Sequence, residues 1–559
     1  MVKKAFILTL GLIFCFFLVT DASGDELEVD SQIWTWTTTS VISDTSDWSS
    51  QWADIKADLQ GNLHVVWNDA DAPFPTVTQD VVYQRWDVNT GSWGEIELIS
   101  PLENSSSITP RLDIDSDGNV HVVWSESFTF FKDQYDRDTC YSIRNASTGA
   151  WTGVRMVSGE STDTSSPPVI DVNDNGIVGI AWADPTDYDG AGSDYDIFMK
   201  YYNVTANRWS SLEVVSESAY KSTSPDISVN PDGDIQIVWM EENVGTSSDI
   251  AYRYFDSESQ SWSAQIDLTT EVTASEAEFP SIITESQYTH VVWNDGYDDL
   301  LNSGADRDLY YKRLDKSLGT WTDLVLLTSE CSGHSDDPQL ALDAFGNLYV
   351  VWDDSTNIGG TTGNDVDILL KFWNKSTDSW NPINVVSTES GRNSDQAKVC
   401  VDLFNFVHVV WTDLSDFGGA DLDEDIFYKK FTGLPYPPVL SSISPNPDTD
   451  GTVKLQWSPS FGGHEYSIYR DSEEISSVSG TTPLHTTVET SYTDAINTSG
   501  LYYYTITANN PVGESPLSNV ESVIIDLPTT SGPTGVSFTI VFMSLVGIAA
   551  VFETKRKHP

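Results

Sequence analysis

An all-β protein written as repeated sheets is what the sequence predicts, on three observations. A short apolar run closing on tryptophan recurs at Trp67, Trp124, Trp182, Trp239, Trp293, Trp352 and Trp411, at spacings of 57, 58, 57, 54, 59 and 59 residues. A period of that size marks a repeat architecture. Each copy carries four pieces rich in Val, Ile, Tyr and Trp and bounded by Gly, Asn and Asp, which is the signature of strands and turns. Within the copies nothing of helical period competes. Four antiparallel strands per unit, seven times over, describe a seven-bladed β-propeller spanning 32–433, with sheets packed face to face around an axis.

The chain begins with Lys3-Lys4, an apolar run over 5–20, and the small residues Ala22, Ser23 and Gly24. That order predicts a secretory signal peptide over 1–24. The second copy shows the unit most clearly: strands near 110–115, 120–124, 141–144 and 151–158, with Asp117-Gly118-Asn119 in the first hairpin, where Gly supplies positive φ without strain. The fifth copy replaces this turn by Ser286-Gln287-Tyr288, and the seventh has Asn405 in place of Gly. The seventh copy also stops after its third strand, at Phe431, while the segment from Trp36 to Ser43 matches the fourth strands from Trp93 to Ser100, Trp151 to Ser158 and Trp209 to Ser216. The N-terminal strand 36–43 is therefore expected to complete the last sheet and remove its open edges.

A Pro-rich linker over 434–438 ends the repeat, and 439–527 has a different character, with Trp457, Tyr466 and the run Tyr502-Tyr503-Tyr504. This stretch resembles a fibronectin type III domain, with Trp457 in the place of the core tryptophan and Tyr502 in that of the tyrosine corner. The resemblance implies a β-sandwich acting as a stalk or interaction module. After a linker over 528–534, residues 535–552 are uncharged and apolar, followed by Lys555-Arg556-Lys557. A helix there would nearly cross a bilayer core of about 30 Å and leave the basic tail 553–559 in the cytoplasm. The expected location is the cell membrane, single-pass, with the N-terminal ectodomain outside.

With 28 Lys and Arg against 84 Asp and Glu, the net charge of -56 repels nucleic-acid phosphate, so nucleic acid is excluded as a partner. Setting aside Cys15 in the leader, Cys140, Cys331 and Cys400 fall in three different copies with no framework spacing. Sequons at Asn104, Asn145, Asn203, Asn374 and Asn497 would permit glycosylation outside the cell.

Two acidic positions recur in every copy. Asp69, Glu126, Asp184, Glu241, Asp295, Asp354 and Asp413 lie two residues past each second-strand Trp, and Asp80, Asp138, Asp196, Asp249, Asp308, Asp367 and Asp425 head each third strand. Antiparallel pairing brings each couple together at the neck of a loop. A structural reading makes them acceptors for turn amides or an indole, fixing each loop. A functional reading makes the Asp-dense loops Ca²⁺ sites, through Asp184, Asp187, Asp189, Asp194 and Asp196 and through Asp413, Asp421, Asp423 and Asp425, since hard oxygen ligands on Gly-containing loops suit that ion. Aromatic residues break the symmetry: Phe128, Phe130, Phe131 and Tyr135 in the second copy and Phe74 in the first could stack on a sugar or a partner. His64, His121, His290 and His408 sit in the second-strand run and read as packing residues.

The third-to-fourth-strand turns, running from Asp87 to Trp93 and from Asn145 to Trp151, resemble the Asp-box turns of sialidase-type propellers, with Asp six and Gly two residues before Trp where the box has five and three. That family needs three converging arginines; here Arg111 is the one first-strand arginine. The sequence reading is a non-enzymatic recognition or adhesion protein with an extracellular protein or glycan ligand. Its rivals are a glycoside hydrolase using loop carboxylates, and a structural component of the cell envelope.

Overall fold

The computed structural model describes residues 35–528 apart from 44, 45, 47, 71–78, 101–104, 128–135, 217, 243–246, 271–275, 297–300, 302, 305, 359–364, 376 and 418–422. The expected leader and apolar C-terminal segment lie outside the described residues. Among the described residues every regular element longer than one turn is a strand.

Seven antiparallel sheets follow one another from the N-terminus. Their inner strands are Ser50–Ala57, Ser107–Ile114, Val169–Val172, Ser222–Val229, Ala277–Thr284, Ser335–Leu342 and Ser394–Val401. Each inner strand lies against the next, and the last lies against the first, so the sheets close a propeller-like ring around an axis. The second strands, such as Leu63–Asp69 and Val407–Asp413, are buried along their whole length because neighbouring sheets cover both faces. Their tryptophans are the largest fully buried side chains of the molecule.

Closure is made by backbone pairing. Thr35–Trp36 and Ser40–Val41 pair with Asp425–Thr432 in a register that sets Trp36 opposite Phe431 and Val41 opposite Phe427. The Trp36 and Phe431 rings meet at 5.1 Å.

Two local features depart from the strand pieces read in the sequence. The fourth strand is not continuous: in the first sheet Trp93 faces Trp86 while Leu98 faces Val82, so five steps on one strand answer four on its partner and one extra residue bulges out. The inner strand starts about three residues earlier than expected, because its register shifts by a bulge in six sheets. At the bulge, Trp52, Thr109, Ser224, Phe279, Asp337 and Gln396 all adopt φ between 47° and 58°. In the third sheet the same place is Pro167, whose ring forbids that conformation, and the inner strand begins only at Val169.

Residues 439–527 form a β-sandwich in which Thr452–Gln456 pairs with Ser491–Ala495, facing a sheet built on Glu465–Asp471 and Gly500–Asn510. Trp457, Tyr466, Ile468, Tyr504 and Ile506 fill its core, and the Tyr502 hydroxyl donates to the Thr498 carbonyl at 3.2 Å. The sandwich docks on the tight-turn face of the last two blades: Phe461 stacks on Phe372 at 5.7 Å and His464 meets Phe404 at 5.3 Å. Asn405, the residue standing where other copies have Gly, takes φ 61° and donates its side-chain amide to the Gly463 carbonyl at 3.1 Å. Asn tolerates the left-handed region that the turn needs, and here its side chain also ties the sandwich down.

Candidate functional site

The face of the ring that carries the second-to-third-strand loops is organised by the recurring acids. They sit directly opposite one another: Asp69 with Asp80, Glu126 with Asp138, Asp184 with Asp196, Glu241 with Asp249, Asp295 with Asp308, Asp354 with Asp367 and Asp413 with Asp425. In five blades the first member accepts from its own blade's tryptophan, as in Trp67 Nε1 to Asp69 at 3.1 Å and Trp411 Nε1 to Asp413 at 2.8 Å, whereas in blade three the Trp182 indole is buried without a partner among the described residues. In five blades it also accepts from the hydroxyl that opens the inner strand, as in Ser165 to Asp184 and Ser394 to Asp413. The second member accepts from the hydroxyl ending the outer strand: Ser158 to Asp138, Ser216 to Asp196, Thr328 to Asp308, Ser387 to Asp367. In the last blade Ser43, from the N-terminal segment, supplies the same bond to Asp425 at 2.6 Å.

These carboxylates thus act as acceptors that fix loop necks. Of the residues read as Ca²⁺ ligands, Asp187 is exposed and accepts from the Gly192 amide, Asp189 is exposed, Asp423 is half-buried, and Asp421 lies outside the described residues. Asp194 and Asp196 adjoin, and burial with Asp194 beside it pushes the Asp196 carboxyl up to about 6. Among the described residues no group of three or more His, Cys, Asp or Glu is arranged to hold a metal ion. The aromatic set Phe74, Phe128, Phe130, Phe131 and Tyr135 lies outside the described residues.

The third-strand cations tie neighbouring blades together. Lys200, Arg253, Lys312, Lys371 and Lys429 do not turn to the Asp at the head of their strand. Each donates to a carbonyl of the preceding blade: Val157, Val215, Leu268, Leu327 and Val386, at 2.7 to 2.9 Å. The histidines, at the tight-turn end, form buried chains in three blades. Tyr83, Tyr141 and Tyr428 hydroxyls meet Nδ1 of His64, His121 and His408, whose Nε2 faces Asp58, Asp115 and Asp402 at 3.1 to 3.2 Å. Burial pushes His64 and His408 down, so those two rings are neutral and their contacts with Asp58 and Asp402 are hydrogen bonds, not ion pairs.

The asymmetric part of the ring is its axis. Inner-strand side chains at the fifth and seventh positions differ between copies, and in the first four blades a carboxylate there bonds the backbone of the next inner strand. Asp54 accepts from the Leu112 amide at 2.9 Å, Asp113 from Val172 at 2.6 Å, Asp171 from Val229 at 2.6 Å and Asp226 from Ile282 at 2.8 Å. In blades five to seven these positions read Ser281 and Ile283, Gln339 and Ala341, Lys398 and Cys400, so no inner-strand carboxylate spans those gaps.

There the loop-face mouth of the axis opens into a pocket of about 440 Å³ lined by Phe279, Arg307, His334, Asp337, Asp353 and Asp395, with Asp336 and Gln396 at its wall. Arg307 pairs with Asp336 at 3.1 Å and reaches Glu278 at 3.9 Å, while its backbone amide donates to His334 Nδ1. Asn294 adds a second donor to Asp336 at 2.7 Å. Asp353 accepts from the Gln396 amide at 3.0 Å, and its other oxygen is buried with no hydrogen-bond partner. Burial raises the carboxyls of Glu278, Asp337 and Asp353 above the usual range and lifts Asp395 to about 6, with Glu424 reinforcing the last. Phe279 is held 43 % exposed beside these acids by its left-handed backbone. None of these residues stood out in the sequence; the signal would have been the variation of the third and fifth inner-strand positions between otherwise matching copies.

No protein-family model and no curated protein matches the chain. Several solved structures are similar in architecture. A fungal alcohol oxidase of the AA5 family, in complex with copper, aligns over 88% of this chain and 99% of its own at 12% identity and a TM-score of 0.45. The phage phi92 endosialidase aligns over 71% and 69% at 10% identity and 0.40. The intramolecular trans-sialidase from Ruminococcus gnavus aligns over 70% and 95% at 12% identity and 0.38.

Proposed function

We propose that this chain is a cell-surface recognition protein that takes a glycan at the loop-face end of the propeller axis, with the C-terminal sandwich, read as a fibronectin type III domain, as the spacer toward the membrane. The observation that carries this reading is the pocket between blades five and seven, where an exposed Phe279 ring stands beside Glu278, Arg307, His334, Asp337 and Asp395. An aromatic face bordered by carboxylates and a few donors suits a polyhydroxylated ring: the apolar side of a sugar stacks while its hydroxyls donate to the acids. The sandwich sits on the opposite, tight-turn face, so it leaves this mouth open. Binding of the purified protein to a glycan array, lost on Phe279→Ala, is the expected result; a wild-type protein that captures no glycan overturns the proposal.

A second reading is favoured by the carboxyls themselves. Asp395, lifted to about 6 by burial and by Glu424, gives up its proton less readily than a free carboxyl, and a carboxyl so raised is what a glycoside hydrolase uses as its general acid. Turnover of chromogenic glycosides, abolished by Asp395→Asn with binding retained, would make the protein an enzyme instead of a receptor.

A further inference from the structure

Below the mouth, the axis contains a narrow cavity of about 80 Å³ lined by all seven inner strands, among them Asp54, Arg111, Asp226, Gln339 and Lys398. Lys398 is only 8 % exposed and its ammonium makes no hydrogen bond or ion pair among the described residues. The Arg111 guanidinium has one bond, to the Pro110 carbonyl at 3.1 Å. The two cations face the same cavity, and after burial Arg111 is the strongest influence depressing the Lys398 amine, to about 7.

Three carboxylates also bear on Lys398, namely Asp54, Asp337 and Asp226, yet none is within ion-pair distance. Asp54 has both oxygens occupied, by the Ile55 and Leu112 amides. Asp226 accepts the Ile282 amide and the Ser281 hydroxyl on one oxygen, Oδ2. A cation withdrawn from water with no counter-charge in contact is costly, and the half-buried Arg111 adds a second like charge to the same cavity. A ligand that supplied the counter-charge would relieve both at once, and Arg and Lys together present the planar fork and the point charge that oxyanions take.

We propose that the axial cavity is a binding site for a small oxyanion, a carboxylate, sulfate or phosphate group, held between Lys398 and Arg111, with the Gln339 amide as a further donor. Asp337 borders both sites, but Phe279 takes no part in this one, so its failure is distinguishable from that of the mouth reading.

The experiment is a thermal-unfolding titration of the purified full-length protein with sodium sulfate, matched for ionic strength with sodium chloride, alongside calorimetric binding. A saturable rise of about 1–3 °C is expected in the wild type, unchanged in Phe279→Ala. Lys398→Met should lose the rise and weaken sulfate binding at least ~10-fold, the order expected when one charge-assisted partner goes. Its own melting temperature without sulfate should equal or exceed that of the wild type, because a buried unpaired charge has been removed. Arg111→Gln provides a second variant should Lys398→Met fold poorly. A wild type that responds identically to sulfate and chloride, or a Lys398→Met protein that keeps the full response, overturns the proposal. Comparing acetate with glucuronate separates the sources: equal affinities point to a free ion, and tighter glucuronate binding that weakens in Phe279→Ala points to the acidic group of a ligand seated in the mouth.

Discussion

Apart from the strand of blade three, shortened at Pro167, the inner strands of blades one to four and those of blades five to seven share a length and a bulge, yet they treat the axis differently. In the first group Asp54, Asp113, Asp171 and Asp226 each close the gap to the next blade by accepting a backbone amide. In the second group no such acid occurs, and both the 440 Å³ mouth pocket and the unpaired Lys398 are found there. Seven similar copies therefore do not give a seven-fold symmetric function. A repeat fixes where each side chain stands, and substitutions at two inner positions decide whether the axis is sealed or open.

The largest test of this contrast lies at the tight-turn end of the open half. His290 in blade five bonds Tyr311 through Nδ1 at 2.8 Å but has no carboxylate beneath Nε2, which is buried without a partner, unlike His64, His121 and His408. Burial, with Arg313 and Lys375 nearby, lowers it to about 3. Its folded value lies below the unfolded value of about 6.5, so the unfolded chain takes up the proton first. The contribution is complete above about 6.5 and is lost as pH falls toward about 3. Urea unfolding of wild type and His290→Gln at pH 7 and pH 4 should show the wild type losing roughly 2–4 kcal/mol relative to the variant. Parallel curves would remove His290 from the account.

Cutting a staple comes next. Asp54→Ala leaves the Ile55 and Leu112 amides without their acceptor and is expected to cost about 2–3 kcal/mol, whereas Gln339→Ala, its counterpart in blade six, should cost less than about 1 kcal/mol. Equal costs in a denaturant titration would erase the distinction between the halves. The reverse substitution sharpens it: Gln339→Asp writes an acid into blade six at the fifth position, from which Asp54 and Asp226 bond the next inner strand, and should gain about 1 kcal/mol while abolishing the sulfate response.

Outer staples follow the opposite distribution, running from blade seven back to blade three. Lys312→Met should cost about 1 kcal/mol by freeing the Leu268 carbonyl, with the aliphatic stem still packed. The smallest effect on stability is expected from Phe279→Ala, within about 0.5 kcal/mol because the ring is exposed, although it is the substitution expected to remove glycan binding. A large fall in melting temperature would instead make Phe279 a structural residue.

Much of the architecture was legible in the sequence because it is periodic. The alternation of turn and apolar run determined four strands per unit, and spacing alone set Asp69 opposite Asp80 and its six counterparts, since antiparallel register follows from hairpin length. The absence of a closing strand after Phe431 and the surplus one at Trp36 also lay in the sequence, and the register that joins them is a backbone matter that side-chain period specifies. What the acids are used for was not legible. Asp413 as a metal ligand and Asp413 as an acceptor for Trp411 and Ser394 have the same sequence, and only packing chooses between them.

The site itself was decided by tertiary structure alone. Lys398 and Arg111 share the fifth inner-strand position, so the repeat turns both toward the axis, but no periodicity tells that among the described residues they meet no carboxylate in the cavity there. Neither does it tell that Asp54, between them in the ring, is already committed to amides. The sequence determined strands, blades and closure because these depend on local propensity and pattern. Charge pairing on the axis depends on which neighbours remain unsatisfied after the ring has closed, and that is a property of the assembled fold.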